Sequence, residues 1–229
     1  MKAGLFICDH VAEKYQTEYG DYPSMFAKLL PALDWVIYDV YNNQFPDNLN
    51  ECEVYVATGS AHSVYENLAW IDRLKSTIAQ LYQQKKVFIG MCVGHQLIGE
   101  ALGGKLEKSK NEWCVGVHNF NVINNQPWMS PEMDAVNLLM MCQDQITVLP
   151  PDAQVLASSE RCPNGIIQVG NHFLGIQAHP EYAKGFDRVL MENREERIGR
   201  KLLDEGIESL SKPLHADILR EWVMNFINK

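Results

Sequence analysis

No part of the chain approaches the roughly 20 consecutive apolar residues that a membrane-spanning helix needs. Six cysteines, at 8, 52, 92, 114, 142 and 162, are scattered with no CxxC pair. That spacing argues against a thiolate metal site, and reduced thiols in a cytoplasmic protein are the simplest reading. No Lys/Arg run is long enough to track a phosphate backbone, and the net charge is −9. Nucleic acid is therefore not an expected partner, nor is a membrane. The first ten residues carry one Lys and a short apolar run without a small-residue cleavage site, so they read as a first strand, not a signal peptide. Repeats, low-complexity tracts and linkers are also missing, which leaves one domain over 1–229 as the expected organisation. What is there is ordinary for a globular chain: 46% hydrophobic and 21% charged residues.

Strand and helix patterns alternate through the first half. Ala3–Cys8, Trp35–Val40, Val54–Thr58 and Val87–Met91 read as strands. Pro23–Leu30 and Asn67–Gln84 read as helices, the second with Leu68, Ile71, Leu74, Ile78 and Leu81 on one face. A further helix runs from about Cys92 to Leu102 and is stopped by Gly103-Gly104. This order predicts an α/β fold with a mostly parallel sheet and helices on both faces. Ligands of such sheets bind beyond the carboxyl ends of the strands. Between Lys105 and Leu174 the pattern changes to short extended pieces: Val115–Ile123, Asn137–Met141, Gln154–Ser158, Ile166–Val169 and Phe173–Ala178. These predict a small mixed or antiparallel extension. The end is helical, over Gly185–Leu203 and Pro213–Asn228, and the interleaved Arg188, Arg194, Arg197, Arg200 and neighbouring glutamates read as a solvated face.

The segment Val87-Phe88-Ile89-Gly90-Met91-Cys92-Val93-Gly94-His95-Gln96 holds the strongest chemical signal. A cysteine between a buried strand and a helix N-terminus, flanked by glycines at −2 and +2, has the pattern of a nucleophile elbow. The helix dipole and first-turn N–H groups favour a thiolate there. Cys92 is the predicted nucleophile.

Such a thiolate needs a base and a group that orients it. Of seven histidines, His179 follows the apolar strand Phe173–Ala178 within His179-Pro180-Glu181. In extended chain, residues i and i+2 project to one side, and Pro180 biases His179 towards that conformation. Glu181 is then the orienting carboxylate. His95, three residues beyond Cys92, is a weaker candidate that reads as a packed histidine, and His10 could line the same cleft. Attack on an amide creates an oxyanion, and losing one donor to it costs about 2.7–4 kcal/mol of barrier. The N–H of Val93 is one expected donor, and the strand-end loop with Gly59 and Ser60 is the source of the other.

Taken together these residues resemble the class I (triad) glutamine amidotransferases. Gly90-Met91-Cys92-Val93-Gly94-His95-Gln96 matches their Gly-x-Cys-x-Gly-x-Gln elbow, and His179-Pro180-Glu181 their His-x-Glu pair. The resemblance implies the flavodoxin-like, three-layer fold of that family and no cofactor or metal. It also implies Cys92 as nucleophile, His179 as base and then acid, Glu181 as the orienting carboxylate, and Gln96 in contact with the glutamyl group. Family members often have Gly-Gly in the oxyanion loop, where this chain has Gly59-Ser60. They often carry His-x-Asp near the α-amino and carboxylate groups of the substrate, where this chain has Cys142-Gln143-Asp144. Gln143 and Asp144 are thus the implied substrate contacts, and Cys142 reads as a buried neutral thiol.

The Gly-Ser loop, the segment Gly20–Phe26 and the helix after His-Pro-Glu are similar to the stand-alone γ-glutamyl peptidase group, and nothing after His179 resembles a synthetase domain. The expected activity is thiol-dependent hydrolysis of a γ-glutamyl amide, in glutamine or a γ-glutamyl peptide. The alternatives are a glutaminase that feeds ammonia to a separate synthetase, and a catalytically silent binding module on the same fold.

Overall fold

The structure, a computed structural model, describes residues 1–109 and 113–229. In chain order the elements are β1 (Lys2–Phe6), α1 (Glu13–Tyr19), α2 (Tyr22–Leu29), β2 (Asp34–Tyr38), β3 (Val54–Ala57), α3 (Ala69–Gln83), β4 (Val87–Met91) and α4 (Val93–Ala101). The strands β5 (Lys105–Lys108), β6 (Cys114–Val122), β7 (Ala135–Cys142), β8 (Asp144–Val148), β9 (Ala153–Ser159), β10 (Cys162–Val169) and β11 (Phe173–Ile176) follow. The chain then runs through α5 (Lys184–Glu192), α6 (Glu195–Ile198), α7 (Arg200–Ser209) and α8 (Ala216–Asn228).

One nine-stranded sheet, ordered β2-β1-β3-β4-β11-β10-β9-β6-β7, passes through the molecule. Its first five strands pair in parallel, as expected for successive βα units. Every residue of β3 and β11 is buried, the near-continuous apolar pattern of strands covered on both faces. The predicted antiparallel extension continues the same sheet through β10, β9, β6 and β7. The helix α3 buries Trp70, Ile71, Leu74, Ile78 and Leu81 on one face, and α8 buries Leu219, Trp222, Val223, Phe226 and Ile227. Among the described residues no helix is long and apolar enough to cross a membrane.

Three local expectations change. The helix expected over Gly185–Leu203 is divided into α5, α6 and α7, with breaks at Asn193-Arg194 and at Gly199, whose φ of 85° belongs to the left-handed region. The short α1 was not anticipated, because it buries no residue and so has no apolar period. A separate antiparallel pair, β5 with β8, forms outside the extended pieces expected from the sequence.

Candidate functional site

Cys92 lies at the junction of β4 and α4 with φ 49° and ψ −102°, in a region that L residues avoid. Strain of this kind persists only where the surroundings over-determine it, and here the strands on both sides do so. The Cys92 N–H donates to the Ile176 carbonyl at the end of β11 (2.8 Å), and the Gly94 N–H to the Thr58 carbonyl after β3 (3.3 Å). The two flanking glycines are required sterically. A Cβ on Gly90 would lie 2.3 Å from the Gly94 carbonyl oxygen, and one on Gly94 would lie 2.7 Å from that of Ala57. Val93 is the first residue of α4, so its N–H has no acceptor in a preceding turn.

His179 follows β11 and is anchored by its own N–H to the Leu139 carbonyl on β7 (2.9 Å). The His-Pro-Glu segment is a turn rather than the expected extended chain, closed by the Tyr182 N–H on the His179 carbonyl (3.3 Å). Pro180 occupies the second turn position, where its fixed φ is favourable. The turn still brings the side chains together: Nδ1 of His179 is 2.8 Å from Oε1 of Glu181, with the two side chains 2% and 0% exposed. The imidazole of His179 also lies beside Cys92. Burial by itself would lower the His179 pKa, but the neighbouring Cys92 and the charge and hydrogen bond of Glu181 raise it to about 10. The proton therefore resides on the ring at neutral pH. Tyr182 stacks on the imidazole, centroids 4.0 Å apart, and its hydroxyl meets that of Tyr22 at 3.0 Å.

The loop after β3 closes over this pair. A Cβ on Gly59 would be 2.9 Å from Cε1 of His179 and 3.5 Å from Cβ of Cys92. Neither Gly59 nor Ser60 takes a positive φ, so serine is accommodated without backbone strain. The loop is tied to the end of β1, where the Ala61 N–H donates to Oδ2 of Asp9 (2.8 Å) and the Cys8 N–H to Oγ1 of Thr58 (3.0 Å).

The cleft beside Cys92 and Val93 is also lined by Gln96, Gln143 and Asp144. Gln96 is buried, and its Nε2 donates to the Asp144 carbonyl (2.9 Å) and to Oε1 of Gln177 (3.3 Å). The Asp144 carboxylate accepts from Ser63, and from the Tyr65 hydroxyl at 2.9 Å. It thus latches the loop after β3 onto the start of β8. Cys142 lies in the cleft wall opposite Cys114 on the neighbouring strand. Its contact with Cys114 and its burial push its thiol well above the usual range.

His95 is turned into the core, 1% exposed, where burial lowers its pKa to about 4. His10 does reach the rim of an adjoining cavity, with its ring nitrogens on Asp21 (2.7 Å) and Asp39 (3.1 Å).

Two arginines assigned to a solvated face belong to the cleft instead. Arg188 and Arg200 make the expected i,i+4 pairs with Glu192 and Asp204, but the helix breaks turn Arg194 and Arg197 towards the cleft beside Cys92. Behind His179 lies a further residue without a local sequence signal, Asp187 of α5. It is fully buried, and neither oxygen has a hydrogen-bond partner among the described residues. Burial pushes its carboxyl up to about 7 against the pull of the His179 and Arg194 charges.

An α/β sheet with a strained cysteine elbow facing a buried His–Glu pair describes a class of thiol-containing amidotransferase-like proteins, and comparison with known proteins agrees. Residues 38–194 match the family model for class I glutamine amidotransferase. The chain belongs to that family and is an enzyme of the amidotransferase type. It is similar to γ-glutamyl peptidase 4 of Arabidopsis thaliana, 31% identical over 202 residues, covering 81% of this chain and 80% of the relative. Similarity to γ-glutamyl peptidase 3 of the same plant is 29% over 218 residues, 91% of this chain and 86% of the relative. The fold matches the crystal structure of a glutamine amidotransferase from Thermotoga maritima with a TM-score of 0.76 at 18% identity, over 99% of this chain and 98% of the other.

Proposed function

We propose that this protein hydrolyses γ-glutamyl amide bonds, in glutamine or a γ-glutamyl peptide, through a thioester on Cys92. The observation that carries the reading is the convergence of the strained Cys92 with His179 and, 2.8 Å beyond it, Glu181. The similarity to γ-glutamyl peptidases supports the choice of acyl group.

In the first half-reaction Sγ of Cys92 attacks the γ-carbonyl carbon. The developing oxyanion takes the Val93 N–H and an N–H of the Gly59-Ser60 loop. The C–N bond then breaks, and the imidazolium of His179 gives its proton to the departing nitrogen. In the second half-reaction water attacks the thioester carbon and passes a proton to His179. The C–S bond breaks, releasing glutamate and regenerating Cys92. Glu181 holds Nδ1 of His179 so that the other ring nitrogen serves both transfers. Gln96, Gln143 and Asp144 border the space for the glutamyl group.

Incubation of the purified chain with glutamine and with γ-glutamyl dipeptides tests this reading. Turnover with a glutamyl adduct on Cys92 detected by mass spectrometry, and loss of both in Cys92→Ala, is the expected result. Ammonia release from glutamine without peptide cleavage favours the glutaminase alternative. Wild-type turnover by Cys92→Ala overturns the mechanism, and no turnover of any substrate leaves a partner-dependent subunit or the silent binding module.

A further inference from the structure

The space around the candidate site is divided into two arms that meet at Ser60, Ala61, Met141 and Arg194. One arm holds Cys92, Val93 and Gln96. The other, about 440 Å³, contains His179 but not Cys92. A leaving nitrogen must depart on the side of the group that protonates it, so this second arm receives the amine half of the substrate. Ammonia is a single heavy atom and needs no such room, whereas cavities of roughly 300–1,000 Å³ are the size that holds organic ligands.

The chemistry of the second arm narrows the amine further. Tyr15, Tyr22, Tyr182, Phe186 and Leu190 give it a largely aromatic wall. Its acidic and imidazole groups are already engaged: Asp9 accepts the Ala61 and His10 N–H groups, and His10 is bracketed by Asp21 and Asp39. Arg194 is different. Among the described residues its guanidinium hydrogen-bonds only the Leu190 carbonyl, at 3.4 Å; it lies within the field of the buried Asp187 but makes no ion pair with it. It is half-buried at the junction of the arms, and Lys14 adds a second cation at the rim. A half-buried guanidinium in such a setting suits a carboxylate, which it can bind in bidentate fashion.

We propose that the preferred substrates are γ-glutamyl amino acids whose amine-side residue has an aromatic or branched apolar side chain and a free α-carboxylate. The side chain lies against the tyrosine-rich wall, and the carboxylate is held by Arg194. This inference rests on the γ-glutamyl hydrolase reading and specifies its leaving group.

Initial rates of the full chain with glutamine, γ-glutamyl-glycine, γ-glutamyl-phenylalanine and γ-glutamyl-phenethylamide test it. The last lacks only the carboxylate of the third. The kcat/KM for γ-glutamyl-phenylalanine is expected to exceed those for glutamine and γ-glutamyl-glycine by at least about tenfold, the discrimination an apolar subsite provides. It should exceed that for the phenethylamide by about 10-fold or more, as for a charge-assisted hydrogen bond. Arg194→Gln should erase the second preference but keep the first, while Leu190→Trp, which fills the arm, should reduce the first. Equal kcat/KM across the four substrates, with turnover still dependent on Cys92, overturns the leaving-group assignment and leaves the hydrolase reading standing. An unchanged carboxylate preference in Arg194→Gln overturns the role of Arg194, and no Cys92-dependent turnover of any substrate overturns both readings.

Discussion

The imidazole of His179 lies flat on the phenol of Tyr182, with ring centroids 4.0 Å apart and planes 8° from parallel. A ring face in that position attracts a cation, so Tyr182 favours the protonated form of His179 without touching its nitrogens. Replacing Tyr182 by Leu should lower the pKa of His179 by about one unit, since cation–π contacts in desolvated sites are worth about 2 kcal/mol or less. In the pH profile of kcat/KM the alkaline limb should then move to lower pH. Tyr182→Phe keeps the ring and loses the contact with Tyr22, and it should leave that limb in place.

Glu181 acts on the same proton through charge. The folded-state pKa of His179, about 10, lies above its ordinary 6.5. The stabilisation linked to this shift is complete below pH 6.5 and is lost as pH rises through about 10. In Glu181→Gln one of the two raising charges is gone, so the linked stabilisation should be smaller and its loss, which still starts near pH 6.5, should end at a lower pH. Thermal unfolding between pH 6 and 10 should show the variant less stable near pH 6 but falling less as pH rises, and kcat at pH 7.5 should fall by about 100-fold or more. A variant with the wild-type unfolding profile and rate would contradict the role of Glu181.

Asp187 sets the opposite balance between burial and charge. Its folded-state pKa of about 7 exceeds the ordinary 3.8, so its carboxyl weakens the fold progressively as pH rises from about 4 to about 7. Asp187→Asn removes a buried charge that has no hydrogen-bond partner among the described residues. At pH 8 the variant should be more stable by on the order of 1–4 kcal/mol, and near pH 4 the two proteins should unfold at similar temperatures. Differential scanning calorimetry at the two pH values checks this, and equal effects at both would contradict it.

Gly59 is a steric test of the site. Because a Cβ there would stand 2.9 Å from Cε1 of His179, Gly59→Ala must displace the ring or the loop. Displacements near 1 Å at a reacting group cost about 100-fold in rate. A kcat loss of about 10- to 100-fold is expected, with a folded protein by circular dichroism and little change in KM. A large KM effect with intact kcat would instead place Gly59 in substrate binding alone.

The elbow was legible because its determinants are local. The apolar strand, the glycines at 90 and 94 and the cysteine between them are consecutive, and each glycine meets a neighbouring carbonyl that only a missing Cβ allows. The pairing of His179 with Glu181 was also anticipated, although a turn and not an extended chain creates it. Arg194 and Arg197 were not legible as cleft residues. Their spacing among glutamates is that of a solvated helix, and the breaks at Asn193-Arg194 and Gly199 re-aim them. Tyr22 and Tyr182 meet across 160 positions of chain, a contact that no local pattern encodes.

From the order of residues alone came the alternating α/β architecture, the family resemblance and the short segments that carry Cys92, His179 and Glu181, because periodicity, glycine placement and a helix start act over a few residues. The tertiary structure alone decided what surrounds them: the second arm of the cleft, Arg194 at its junction, the tyrosine behind the imidazole and the buried Asp187. Those features depend on strand order and helix breaks that bring distant segments within contact distance. The candidate acyl-transfer residues are therefore set along the chain, and the surroundings proposed to select the leaving group are set across it.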